Sequence, residues 1–143
     1  MDTNGQHFVI DAFECQNDML NNAKELEDLL TRAINQLGME ILSSHFHTFF
    51  PQGVTGIIGI STSHFSIHTW PEHGYAALDL YTCGDQNIWP VLRETLLILQ
   101  ARRSEVYEIS RGENITNNAA CRKFTLSLNE TNNEIIESHI SFQ

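Results

Sequence analysis

Apolar residues along this chain switch between two periods, and the switches mark out its elements. From Asp18 to Leu37 the apolar positions are Met19, Leu20, Ala23, Leu26, Leu29, Leu30, Ala33, Ile34 and Leu37. Steps of three and four place them on one stripe of an amphipathic helix, with the charged residues opposite. Asn17 stands before the run as an N-cap, and Gly38 follows it where a left-handed cap is wanted. A second helical stretch covers Asp85 to Gln100, with Trp89, Leu92, Leu96 and Leu99 on one side. Pro90 falls in its first turn, where a missing N–H costs little.

Elsewhere the pattern favours strands. Gln6–Glu14, Met39–Phe49, Thr55–Ser61, His64–Trp70, Gly74–Thr82 and Glu105–Ser110 are short runs rich in aromatic and β-branched residues, broken by Pro51-Gln52-Gly53 and Arg111-Gly112-Glu113. The fifth run puts Tyr75, Ala77, Asp79 and Tyr81 on one face. Phe124, Leu126 and Leu128, a polar turn at 129–133, and then Ile135 to Phe142 predict a terminal hairpin. Strands mixed with two helical segments predict an α+β fold: a two-layer α/β sandwich, mainly antiparallel, with both helices on one sheet face. At 143 residues the chain is long enough for one domain, 1–143, with a core of its own.

Charge narrows the partners. Eight Lys and Arg stand against 18 Asp and Glu, a net −10 that repels phosphate backbones, so nucleic acid is not an expected partner. The acidic surface mildly favours a cationic small molecule. No apolar run approaches the ~20 residues of a membrane span, and the N-terminus lacks a basic segment followed by an apolar one. Cys15, Cys83 and Cys121 are widely spaced and odd in number, which argues against a disulfide framework or zinc ribbon. A cytoplasmic location is the expectation.

The chemistry is concentrated between Ile58 and Gly84. Ser63-His64, His68, Trp70-Pro71-Glu72 and Thr82-Cys83-Gly84 set a hydroxyl, imidazoles, a carboxylate and a thiol among apolar residues. These are the groups of nucleophilic and acid–base catalysis. Each also has a plain reading. A serine between strands is ordinarily a turn residue, a lone histidine a half-buried strand residue, and a cysteine a small buried hydrophobe. His45 and His47 share one strand face, and His64 and His68 another. No cysteine pair or spaced carboxylate completes either set, so no metal site is expected.

Taken together, these motifs resemble the core of the S-adenosylmethionine decarboxylase proenzymes of the short, pyruvoyl-dependent bacterial and archaeal class. The resemblance runs from Met1 to Gly112, through Met1-Asp2-Thr3-Asn4-Gly5-Gln6-His7 and Pro51-Gln52-Gly53-Val54-Thr55-Gly56, and leaves residues 113–143 unrecognised. It implies decarboxylation of S-adenosylmethionine, supplying aminopropyl groups for spermidine. It implies that the Ser63 hydroxyl attacks the Thr62 carbonyl and turns an amide into an ester. Elimination then splits the chain into 1–62 and 63–143 and leaves a pyruvoyl group, derived from Ser63, as cofactor. Its ketone forms a Schiff base with the substrate amine and acts as electron sink.

By the same resemblance His68 is the processing base, Thr55 supplies a hydroxyl where the family commonly has Ser, and Cys83 protonates the α-carbon. Phe49, Phe65, Trp70 and Glu72 fall where the family surrounds its nucleoside. Family members are homodimers with active sites near the interface, and the same is expected here.

Two features depart from the pattern. Thr62 replaces the usual Glu, although the acyl shift uses the carbonyl of residue 62 and not its side chain. Glu137-Ser138-His139 matches the processing sequence literally, but nothing like the His68–Cys83 array follows it. Two other readings stay open at this point: a pyruvoyl-dependent ornithine or arginine decarboxylase, and a non-cleaving homologue with a binding or regulatory role.

Overall fold

A computed structural model of the chain describes residues 3–115 and 121–142. Eight strands, β1 (Gly5–Phe13), β2 (Ile41–Thr48), β3 (Val54–Ile60), β4 (Ser63–Trp70), β5 (Tyr75–Cys83), β6 (Arg103–Arg111), β7 (Cys121–Asn129) and β8 (Glu134–Phe142), form one sheet. Their order is β2-β3-β4-β5-β1-β6-β7-β8, and every neighbouring pair is antiparallel. The expected α+β class and the terminal hairpin are both present.

Strand alternation sorts side chains onto two faces. Phe8, Ile10 and Ala12 of β1, Ile58 and Ile60 of β3, Phe65 and Ile67 of β4, and Leu78 and Leu80 of β5 are all at most 4% exposed. They meet the helices, which cover this face alone. The opposite face is open and carries the other set: His7, Val9 and Asp11; Thr55 and Ile57; His64, Ser66, His68 and Trp70; Tyr75, Ala77, Asp79 and Tyr81. The histidines of β1 and β4 and Asp79 lie there, whereas Ser63, the first residue of β4, shares its parity with Phe65 and Ile67.

The helical layer differs from the expected pair. The stretch from Asp18 to Leu37 divides into α1 (Asn17–Leu20) and α2 (Ala23–Gln36), and the third helix, α3, is Trp89–Ile98. Asn22, not Asn17, caps the long helix, its side-chain oxygen accepting from the Glu25 N–H at 3.0 Å. The break is silent in the apolar pattern because the stripe stays in phase across it. Gly38 has φ +69, as a left-handed helix end requires.

Two contacts fix the β2–β3–β4 edge on which much of the chemistry sits. The Phe46 ring lies over Gly56 on the neighbouring strand, so closely that a Cβ there would fall 2.0 Å from the ring. Thr69, 6% exposed, donates its hydroxyl to the Leu20 carbonyl at 2.7 Å and accepts the Val54 N–H at 2.9 Å. One side chain thus ties β4 to the end of α1 and to the start of β3.

Candidate active site

Ser63 opens β4 directly after the tight turn from β3, opposite Ile60. On the neighbouring strand β5, Cys83 closes the strand at the same end of the sheet. The Cys83 backbone N–H donates to Ser63 Oγ at 3.3 Å, and the Cys83 thiol donates to the Thr62 carbonyl oxygen at 3.5 Å. One residue therefore holds the hydroxyl and the carbonyl on either side of the Thr62–Ser63 bond. A thiol is a weak donor, but its pull on a carbonyl oxygen makes the carbon more open to attack. The Thr62 side chain takes no part in these contacts.

At the other end of β4, His68 sits directly across from Thr55 on β3, and His68 Nδ1 lies 3.0 Å from Thr55 Oγ1. Both open onto a cavity of about 330 Å³ whose walls include Phe49, Gln52, Trp70 and Glu72. Glu72 is brought there by the 3₁₀ turn Pro71–His73 that joins β4 to β5. Phe49 is 48% exposed, with its ring edge-on to His47 at 4.6 Å, and Trp70 is 41% exposed. Two half-exposed aromatic rings and a carboxylate around one cleft suit a flat heterocycle joined to a hydroxyl-bearing ring.

These residues therefore form two groups. Ser63 and His68 are five residues apart on one extended strand, about 17 Å at ~3.4 Å per residue. Thr62, Ser63 and Cys83 lie at one end; Phe49, Thr55, His68, Trp70 and Glu72 lie at the other. Within one chain His68 does not reach Ser63.

Phe65, expected to narrow the substrate pocket, does not line the cleft. His64, Ser66, His68 and Trp70 occupy the open face, so alternation turns Phe65 to the helix side. It is 2% exposed there, packed among Ile10, Leu78, Leu80, Val91 and Leu92. Glu137-Ser138-His139 lies on the edge strand β8. Ser138 is the extra residue of a bulge opposite β7, its hydroxyl donating to the Thr125 carbonyl at 3.0 Å, while Glu137 faces Arg93 at 3.8 Å.

One cluster escaped the sequence reading. His7 Nε2 and His64 Nε2 both approach Asp79 Oδ1, at 2.5 and 3.0 Å, because β1 and β4 flank β5. Arg111 Nη1 lies 3.2 Å from His7 Nδ1, and its guanidinium rests over the Tyr81 ring at 4.8 Å. Arginine can only donate, so His7 Nδ1 accepts and its proton sits on Nε2, directed at Asp79. The three ligand-type atoms lie within 4.8 Å of one another. A metal on Nε2 would have to move that proton to Nδ1, against the guanidinium, so the group is a hydrogen-bonded network. Of the other histidines, His47 packs on Phe49 and His68 bonds Thr55.

Comparison with known proteins bears on this arrangement. The family model for S-adenosylmethionine decarboxylase matches residues 6–112. An S-adenosylmethionine decarboxylase proenzyme from Thermotoga petrophila is 43% identical over 109 residues, covering 76% of this chain and 84% of that protein. One from Syntrophomonas wolfei is 42% identical over 113 residues, covering 78% and 90%. The crystal structure of the adenosylmethionine decarboxylase from Aquifex aeolicus superposes with a TM-score of 0.70 at 32% identity, over 82% of this chain and 99% of that one.

Proposed function

This chain belongs to the S-adenosylmethionine decarboxylase family, and we propose that it decarboxylates S-adenosylmethionine through a pyruvoyl group formed from its own Ser63. The observation that carries this reading is the grip of Cys83 on both sides of the Thr62–Ser63 bond. A turn serine needs no such partner. The product serves spermidine synthesis.

Self-processing begins when Ser63 Oγ attacks the Thr62 carbonyl carbon and the Ser63 nitrogen leaves, giving an ester. The thiol of Cys83 holds the carbonyl oxygen as negative charge develops on it. A base then takes the Ser63 α-proton, the Cβ–Oγ bond breaks, and Thr62 departs as a carboxylate. One water converts the remaining enamine to the ketone and releases ammonia. Thr62 fits these steps as well as a glutamate, because only its backbone takes part.

A pyruvoyl ketone supplies an electrophile that condenses with a primary amine and draws off electrons as carbon dioxide leaves. The protein's residues do the rest. Glu72 accepts the ribose hydroxyls, Phe49 and Trp70 flank the adenine, and aromatic faces favour the sulfonium. Cys83, already at the Ser63 end, returns the proton to the α-carbon.

The base is His68, supported by Thr55, but of a second copy. The ~17 Å between Ser63 and His68 along β4 leaves each chain with two separate halves. Two copies related by a two-fold axis, placed so that the Ser63 end of one meets the His68 cleft of the other, would complete both sites. We therefore propose a homodimer with two composite sites.

Release of carbon dioxide from carboxyl-labelled S-adenosylmethionine tests the substrate, with ornithine and arginine as competitors. Labelled carbon dioxide from S-adenosylmethionine alone is expected. Release from either amino acid instead would assign the cleft to another substrate.

A further inference from the structure

Trp70 ends β4 and lines the cleft, and a row of side chains stands behind it. Tyr75, its direct partner across the β4–β5 hairpin, lies with its ring 5.3 Å from the indole at 32°. On the far side Tyr75 stacks on Phe13 at 5.5 Å and 28°, and the Arg103 guanidinium covers Phe13 at 4.1 Å. The row crosses β4, β5, β1 and β6 on the open face. Its middle member is also tied at the tip, where the Tyr75 hydroxyl donates to Asp11 Oδ1 at 2.5 Å. Partial burial, then Asp11, push the Tyr75 hydroxyl up to about 12, so it stays a donor at any working pH.

We propose that Tyr75 and Asp11 are positioning residues that fix the Trp70 indole against the cleft and thereby set affinity for the nucleoside of the substrate. This rests on the reading of the cleft given above. Within its own chain Asp11 lines neither the cavity nor the Ser63 end, and its side chain is linked to the cleft through Tyr75. A phenylalanine at 75 would fill the same space, so the hydroxyl and its carboxylate serve orientation more than packing. An indole at the end of a strand, half exposed, otherwise has room to swing, and a stacking face that swings loses part of its binding contribution to ordering.

The test uses the cleaved enzyme in a Trp89→Phe background, which leaves Trp70 as the sole tryptophan. Tyr75→Phe and Asp11→Ala are each expected to raise KM for S-adenosylmethionine about tenfold while leaving kcat and the cleaved fraction within about twofold. The double variant should be no worse than either single one, because both remove one hydrogen bond. Acrylamide quenching of Trp70 should rise in all three, a readout that needs no turnover and that loss of stability alone does not move at temperatures below unfolding. An unchanged KM and unchanged quenching in Tyr75→Phe overturns the proposal. Trp70→Leu separates the two levels. If it raises KM while Tyr75→Phe does not, the positioning role fails and the cleft assignment stands; if it also leaves KM unchanged, the cleft assignment fails and takes this role with it.

Discussion

Two variants, each inactive at a different half of the site, should restore cleavage when made together. Ser63→Ala removes the nucleophile and leaves the His68 cleft whole; His68→Asn does the reverse. Alone, the first should never cleave, and the second should cleave slower by about 10²–10⁴-fold, the usual worth of a general base. Along β4 the two positions are about 17 Å apart, several times the reach of a proton transfer, so no side-chain movement joins them within one chain. Mixed dimers hold one composite site with Ser63 from the His68→Asn chain and His68 from the Ser63→Ala chain; the other site lacks both. Random pairing at equal expression makes about half of all dimers mixed, so about half of the His68→Asn chains should be cut. Denaturing mass spectrometry of co-expressed, differently tagged chains reads that fraction directly. If mixed dimers are isolated through both tags and remain uncut, the halves do not act across copies. Normal cleavage by His68→Asn alone would remove His68 from the processing step.

Three further substitutions probe separate contacts. Glu72→Gln should weaken turnover by about 1.5–3 kcal/mol, the value of a charged acceptor for hydroxyls, while the extent of cleavage stays unchanged; steady-state kinetics on cleaved protein checks it. Cys83→Ala should slow cleavage as well as chemistry, because the thiol also holds the Thr62 carbonyl, and processed protein should inactivate during turnover, the pyruvoyl end of its 63–143 fragment converted by amine transfer to an N-terminal alanine that mass spectrometry detects. Thr69→Val leaves the Leu20 carbonyl and the Val54 N–H without their buried partner, and should cost about 2–4 kcal/mol in urea unfolding with both fragments otherwise intact.

Much of this was readable in the chain. The Ile58–Gly84 span names nearly every reactive group, and period-two alternation through β4 and β5 puts His64, His68, Trp70 and Asp79 on one face. The same alternation already turns Phe65 away, and the same strand spacing already separates Ser63 from His68. What could not be read is register. His7 and Asp79 are 72 residues apart, and their contact depends on β1 inserting between β5 and β6, a pairing no local pattern writes. Asp11 and Tyr75 are hidden for the same reason. The helix break at Asn21-Asn22 is hidden differently: an apolar stripe that keeps its phase gives no sign of an interruption, and only the Asn22–Glu25 cap spacing marks it.

The account depends most on the bond between Thr62 and Ser63. Purified chain, incubated at length and then denatured, should separate by mass into residues 1–62 and a fragment 63–143. The second should be lighter, by the ammonia lost, than a 63–143 fragment with an intact serine and should be captured by a hydrazine probe, while Ser63→Ala yields neither fragment. A single full-length species that no carbonyl reagent labels would contradict the account at its centre.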